Sequence, residues 1–459
     1  MEFAAGEKRS YLTDLGIRFM PTVGWAERGD LRAEGHGNSV PRFHIAWGTG
    51  TGVVEPFVDS ALQSAKDKLV TFYHRHRVDE LVITDGVATG IKGTVLAPDD
   101  AERATPSNRD EVGEFELSAQ AVIITTGGIG GNHDMVRRYW PDRMGTPPAS
   151  MITGVPAYVD GRMLDIANDS EVRLVNRDRM WHYTEGVNNW DPIWPKHAIR
   201  IIPGPSSMWF DALGRRLPAP LPARLRHLRH PAPPAHHRRD RQVRPLLVHL
   251  EPEDHQERVR PLGFRAEPRH HRQEPQSRSA RTVFKQGRDR SGRGVQAPRR
   301  RLRGRQQPGR TRREDERPDR RTAAGSGRDP QADEARDLQV ANPFCKDVQV
   351  QGIRNARRAL GDRLGRVAAP HRILDPKAGP LIATKLHILT RKTLGGIQTD
   401  LSSRAIGSNG EPIAGLYAAG EVAGFGGGGV HGYNALEGTF LGGSIFSGRA
   451  AGRAAADAV

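Results

Sequence analysis

The 459-residue sequence contains one cysteine, Cys345, so no internal disulfide framework holds it together and a reducing, cytoplasmic setting is expected. It has no apolar run approaching the roughly 20 residues of a membrane span, and no signal-peptide pattern opens it. Acidic residues are the scarcer charge, 53 against 69 basic ones, for a net of +16 and a pI near 10.4. Such a balance ordinarily points to nucleic acid or an anionic membrane. Its distribution argues otherwise, because residues 217–333 carry 30 Lys and Arg against 14 Asp and Glu, while the remainder holds 39 of each sign. The expected partners are a small-molecule substrate and an electron acceptor of unknown kind, with no nucleic acid and no membrane. At 50.5 kDa the chain has room for two or three domains with real cores.

Residues 217–333 are the poorest part of the sequence. They contain two aromatic residues, Phe264 and Phe284, a single lysine, Lys285, and no apolar periodicity. Little core could offset the entropy of ordering such a segment, so long irregular stretches or isolated helices are expected. A disordered basic linker and an arginine-rich RNA-binding segment are two readings. A third, out-of-frame translation of a GC-rich gene, explains the excess of Arg, Pro, Gly, Ala and His and why recognisable sequence stops near Pro218 and resumes at Glu334. Residues 253–262 and 263–276 can be back-translated so that the neighbouring frame reads as ordinary domain sequence, and this third reading is the favoured one.

The informative stretch is C-terminal. Residues 413–419 form an apolar run of strand length, which stops at Gly420 and Glu421 and passes through a glycine-rich loop. An apolar helix follows, with small residues four apart at Gly443, Ser447, Ala451 and Ala455. A strand with a carboxylate at its tip, a glycine loop and a helix N-terminus can accept a hydrogen bond from a sugar or ribitol hydroxyl and hold an electron-rich ring edge. The motifs GLYAAGE and GGGVHGYNALEGTFLGG closely resemble the C-terminal flavin element of the FAD-dependent dehydrogenases that include fumarate reductase flavoproteins and 3-ketosteroid dehydrogenases.

That resemblance implies an α/β fold: an FAD/NAD(P)-binding Rossmann-like domain with an inserted α+β capping domain. Residues 1–150 and 379–459 would form the FAD-binding domain and residues 151–378 the cap. FAD is the implied cofactor. Glu421 would grip its ribitol, and Gly420, Gly432, Asn434, Ala435 and Leu436 would lie against the flavin. Gly127 and Gly128, after the apolar run 121–124, would pass near the adenosine half. Gly395 and Gly396 belong to a TxGG segment near flavin and substrate. Tyr433 stands where ketosteroid dehydrogenases place a tyrosine that hydrogen-bonds the substrate ketone, six residues before Thr439. Fumarate reductases carry a His before TxGG and an Arg in the C-terminal loop, where this sequence has Arg391 and Ala435. Loss of that Arg disfavours a small dicarboxylate. The implied activity is therefore dehydrogenation of a CH–CH bond beside a carbonyl, with a fumarate reductase or succinate dehydrogenase type as the alternative and a non-catalytic remnant as the reading from another class. No metal site is expected.

The G-x-G-x-x-G fingerprint that cradles a pyrophosphate is missing. Gly35-His36-Gly37 lacks its third glycine, and Gly48 to Gly52 is not continued by a spaced glycine and helix pattern. The resemblance thus lacks its first βαβ unit, which predicts a truncated chain that holds FAD weakly. The loop at 37–44 resembles one near the flavin and substrate. Further expectations are a helix at 53–65, extended runs at 70–73, 77–83 and 87–96 with an Asp85-Gly86 hairpin turn, and a strand-turn at 208–216. Trp181, His182, Tyr183, Glu185, Trp190, Trp194, His197 and Trp209 form an aromatic cluster suited to core or to a flat apolar substrate.

Overall fold

The computed structural model describes residues 2–19, 46–201, 207–210, 216–217, 246–250, 330–358, 360, 363, 368–378, 381–424 and 439–459. Two six-stranded sheets dominate. In the first, β1 (His76–Thr84) and β2 (Val87–Leu96) form the expected antiparallel hairpin, whose turn residues Asp85 and Gly86 both take the left-handed conformation that a two-residue type I′ turn requires. Strand β3 (Glu111–Ser118) adds to β2 and completes a meander.

The same sheet continues through parallel pairing. Strand β4 (Val122–Ile124) runs beside β14 (Pro412–Ala418), with Leu416, Tyr417 and Ala418 opposite Val122, Ile123 and Ile124. Strand β13 (Arg404–Ile406) closes the edge. The twofold alternation of β14 sorts its side chains. Leu416 and Ala418 enter the main core with Leu81, Ala88, Ile124, Ile129 and Val422, whereas Tyr417 faces Ala451 and Ala455 on the opposite side. Complete burial of Leu416 contributes roughly 2–3 kcal/mol.

The covering element on that opposite side is the C-terminal helix Thr439–Ala458. Its small residues let the backbone approach the sheet, so the Ser447 hydroxyl accepts the Gly420 N–H at 3.0 Å and the Tyr417 hydroxyl donates to the Ala454 carbonyl at 3.2 Å. Two short N-terminal helices, α1 (Glu2–Ala5) and α2 (Lys8–Asp14), lie along the same helix. Phe3 meets Phe446 at 5.6 Å, Arg449 sits 4.2 Å over the Tyr11 ring, and Arg449 pairs with Glu7 at 3.3 Å.

The second sheet is assembled from distant pieces. Its strands are β5 (Met151–Thr153), β7 (Met180–Asn188), β8 (Ala198–Arg200), β9 (Met208–Phe210), β10 (Leu246–Leu250) and β11 (Ile382–Thr393). They lie in the order β8-β7-β11-β10-β9, with β5 parallel to β11. A small pair, β6 (Leu174–Val175) with β12 (Gly396–Ile397), stands apart. Beyond α2, the helices in chain order are α3 (Thr49–Lys66), α4 (His133–Arg138), α5 (Arg162–Asp169), α6 (Pro330–Val340), α7 (Val348–Ala356) and α8, the C-terminal helix.

Three expectations need correction. Helix α3 starts at Thr49, four residues earlier than expected, so Gly50 and Gly52 lie in its first turn and Gly48 is its N-cap. Residues 70–73 form no strand, because no described strand lies beside them and Val70, Phe72 and Tyr73 stay exposed. Within the basic segment 217–333, Leu246–Leu250 is a strand between β9 and β11, and helix α6 begins at Pro330. The run Leu-Leu-Val-His-Leu is short, apolar and β-branched at its centre, and it finds a ladder on both sides. Most of the rest of that segment, and the loop at 37–44 with Gly35 and Gly37, lies outside the described residues. The strand-turn expected at 208–216 shows as β9 and an antiparallel bridge between Phe210 and Arg216.

Candidate active site

Three chain segments meet where β4 and β14 end at their carboxyl sides, the usual position of a site in an α/β sheet. Strand β4 passes through Thr125 and Thr126 into Gly127 and Gly128. Strand β14 passes through Ala419 into a 3₁₀ turn, Gly420–Ala423. Strand β11 ends at Thr393 and leads into Leu394, Gly395 and Gly396.

Hydrogen bonds fasten the three together. The Thr393 N–H donates to Glu421 Oε1 at 2.8 Å, and the Ile129 N–H donates to the Thr393 hydroxyl at 2.9 Å. Three residues earlier on β11, the Thr390 hydroxyl donates to the Gly130 carbonyl at 2.7 Å. The contacts leave no room for a side chain at Gly128, where a Cβ would lie 2.0 Å from Thr393 Oγ1 and 2.8 Å from Glu421 Oε1. Gly395 and Gly396 are equally confined, since a Cβ there would lie 2.0 Å from the Asn176 carbonyl and 2.1 Å from the Val422 carbonyl. Of the residues predicted to bind the cofactor, the fold therefore gathers Gly127, Gly128, Gly395, Gly396, Gly420 and Glu421. Gly432, Tyr433, Asn434, Ala435 and Leu436 lie outside the described residues.

Burial dominates the electrostatics of Glu421. It pushes the carboxyl up to about 7, against the opposing pull of the Thr393 hydrogen bonds and the nearby charges of Lys392 and Arg391. Beyond this carboxyl the wall is aromatic. Trp181 and Tyr183 are fully buried on β7, and Trp181 meets Phe440, in the first turn of α8, at 5.8 Å. The predicted aromatic cluster therefore divides: Trp181, His182, Tyr183 and Glu185 are interior, Trp194 stacks on His197 at 3.8 Å, and Trp190 is 83% exposed. The sequence reading passed over Thr393 and Thr390 as anchors. Thr393 stands two residues before a glycine pair and Thr390 has no such signal, and the partners of the two hydroxyls, Ile129 and Gly130, are more than 250 positions away.

Among the described residues no group of three metal-ligating side chains occurs, and no helix is long and apolar enough to cross a membrane. The donors and acceptors present suit a flavin dinucleotide. Thr393 is the one described residue shown to hydrogen-bond the Glu421 side chain, and a carboxyl can accept more bonds than that, which suits a ribitol hydroxyl. Gly128 and Gly130 are buried, yet their N–H groups donate to no described residue, which leaves donors for phosphate or carbonyl oxygens.

Sheet, glycine turns and buried carboxylate define a dinucleotide-binding α/β flavoprotein. Residues 1–441 match the FAD binding domain family. A KsdD-like steroid dehydrogenase of Mycobacterium tuberculosis is 51% identical over 471 residues, covering 100% of this chain and 79% of that relative. Another KsdD-like steroid dehydrogenase, from Mycolicibacterium smegmatis, is 49% identical over 462 residues and covers 96% and 79%. In fold, the open conformation of a flavocytochrome c3 fumarate reductase superposes with a TM-score of 0.53 at 16% identity, over 99% of this chain and 62% of that one. The chain belongs to the FAD-binding flavoprotein oxidoreductases: it has their α/β fold, its cofactor is FAD, and it is an FAD-dependent dehydrogenase.

Proposed function

We propose that the protein dehydrogenates a carbon–carbon bond next to the ketone of a steroid-like substrate. The observation that carries this reading is the convergence of Glu421, Thr393 and Gly128 beside an aromatic wall of Trp181, Tyr183 and Phe440. It is supported by the two mycobacterial relatives near 50% identity, whose names specify steroid dehydrogenation. FAD supplies the hydride acceptor. Glu421 holds the ribitol, and Gly127 and Gly128 flank the adenosine half. Gly395, Gly396 and Gly420 allow the backbone to come close, and Gly432, Asn434, Ala435 and Leu436 border the ring. Tyr433 donates a hydrogen bond to the ketone oxygen and so favours loss of the neighbouring proton. Residues 151–378, which contribute β5 and β7 to β10 to the second sheet, form the cap that excludes water over the reacting carbon. Residues 1–150 and 379–459 carry the cofactor. The one cysteine, buried Cys345, suits a reducing cytoplasm.

The test is anaerobic mixing of the FAD-reconstituted chain with 3-ketosteroids, succinate or fumarate, followed by flavin absorbance and a dye acceptor. Ketosteroids should bleach the flavin and drive dye reduction. Preference for succinate, or reoxidation of reduced flavin by fumarate, would instead establish the dicarboxylate type.

A further inference from the structure

Two irregularities lie where β11 crosses β7. Between Leu389 and Lys392 three steps of β11 oppose only two steps of β7, from Tyr183 to Trp181. The extra residue is a β-bulge, which breaks the strict alternation of a strand and re-aims its side chains. Consecutive residues that would otherwise point to opposite faces are thereby brought to one ring. The Arg391 guanidinium carbon and the Lys392 ammonium nitrogen each stand 5.9 Å from the centre of the Tyr183 ring. Lys392 is also 5.6 Å from Trp181 and 5.5 Å from Phe440. A third cation, Arg200, lies 4.1 Å over Tyr183 and pairs with Glu185 at 3.5 Å.

The other two cations have no such match. Among the described residues the side chain of neither Arg391 nor Lys392 forms an ion pair or donates a hydrogen bond. The one carboxyl that acts on both is Glu421, already bonded to Thr393. Lys392 is half-buried against three rings, so its ammonium has given up part of its water without gaining an acceptor. Trp181 and Tyr183 are buried and back the two side chains, while Phe440 is half-buried; exposed Arg391 and half-buried Lys392, two cations without an acceptor beside that partly open ring, describe a site for an amphipathic anion.

We propose that Arg391 and Lys392 form an anion subsite for the substrate, which is an acidic ketosteroid carrying a carboxylate or similar group at a distance from its ketone. The inference rests on the steroid reading above. The same chemistry could hold the cofactor's own pyrophosphate, and the experiment separates the two sources.

The FAD-reconstituted chain is titrated anaerobically with a neutral 3-ketosteroid and with one bearing a side-chain carboxylate, at low and high salt, and half-saturation is read from flavin bleaching. The acid should half-saturate at a concentration at least about tenfold lower, and salt should weaken the acid alone. Arg391→Gln with Lys392→Gln should bring the ratio of the two steroids to about one, while Arg391→Lys with Lys392→Arg retains the preference. Equal half-saturation in the unmodified chain would overturn the subsite without touching the steroid reading. A rise in the FAD dissociation constant of the Gln variant with the acid preference intact would assign the anion to the cofactor and also overturn it. Failure of both steroids to bleach the flavin would instead remove the steroid reading, and this inference with it.

Discussion

Helices α3 and α8 have similar lengths and opposite fates. The 18-residue α3 carries Val54, Val58 and Leu62 four apart on one face, and it buries no residue at all. The 20-residue α8 shows glycine, serine and alanine on its inner face and buries Ala451 completely against Tyr417. An apolar stripe does not bury itself; it needs a surface of matching relief, and small side chains let a backbone reach one. Residues 69–73 repeat the lesson of α3, with Leu69, Phe72 and Tyr73 exposed beside it in sequence. The α8 side, by contrast, is tied to the Glu421 turn, since the Ser447 hydroxyl accepts the Gly420 N–H.

Four measurements can break or sharpen that contrast. The largest effect belongs to Gly128→Ala, whose new Cβ must displace the Thr393 side chain from its bonds. Stability should fall by more than about 3 kcal/mol in denaturant melts, with loss of flavin retention. Next, Ala451→Leu should cost about 2–3 kcal/mol, because α8 would have to lift from Tyr417.

The third effect is on pH dependence. Burial raises the Glu421 carboxyl to about 7, above its ordinary range. Between the two values the folded chain holds a proton that the unfolded chain has lost, so this contribution is full at low pH and disappears as pH rises through about 7. The flavin-free chain should lose roughly 2 kcal/mol relative to Glu421→Gln between about pH 5 and pH 8. Parallel stability curves for the two proteins would show that Glu421 ionises normally. The smallest effect is expected from Val58→Ser on α3, less than about 0.5 kcal/mol. A larger loss there would mean that this face is covered in solution and would erase the contrast itself.

Legibility in the sequence followed the range of the interactions. The β1–β2 hairpin was readable because Asp85 and Gly86 encode their turn locally. Strand β14, the turn at Gly420 and Glu421 and the small face of α8 were readable for the same reason, as patterns contained within some forty residues. The Thr393 anchor was not, since its hydroxyl meets Ile129 across 264 positions. Nor was β10, whose apolar run sits in basic surroundings and becomes a strand only between β9 and β11. The bulge that turns Arg391 and Lys392 to one ring leaves no trace in the spacing of residues along β11. Residues 70–73 failed in the other direction, having the composition of a strand and no ladder to join.

Strand β11 has one more consequence. Its 12 residues, roughly 40 Å if extended, begin beside β10 and finish with the Thr393 N–H on Glu421. It is a lever with a built-in elbow. Any rocking of the second sheet relative to the Glu421 carboxylate must be absorbed where the ladder to β7 is already irregular. That point carries Arg391 and Lys392, so a load on those two side chains would be felt at both ends of the rod.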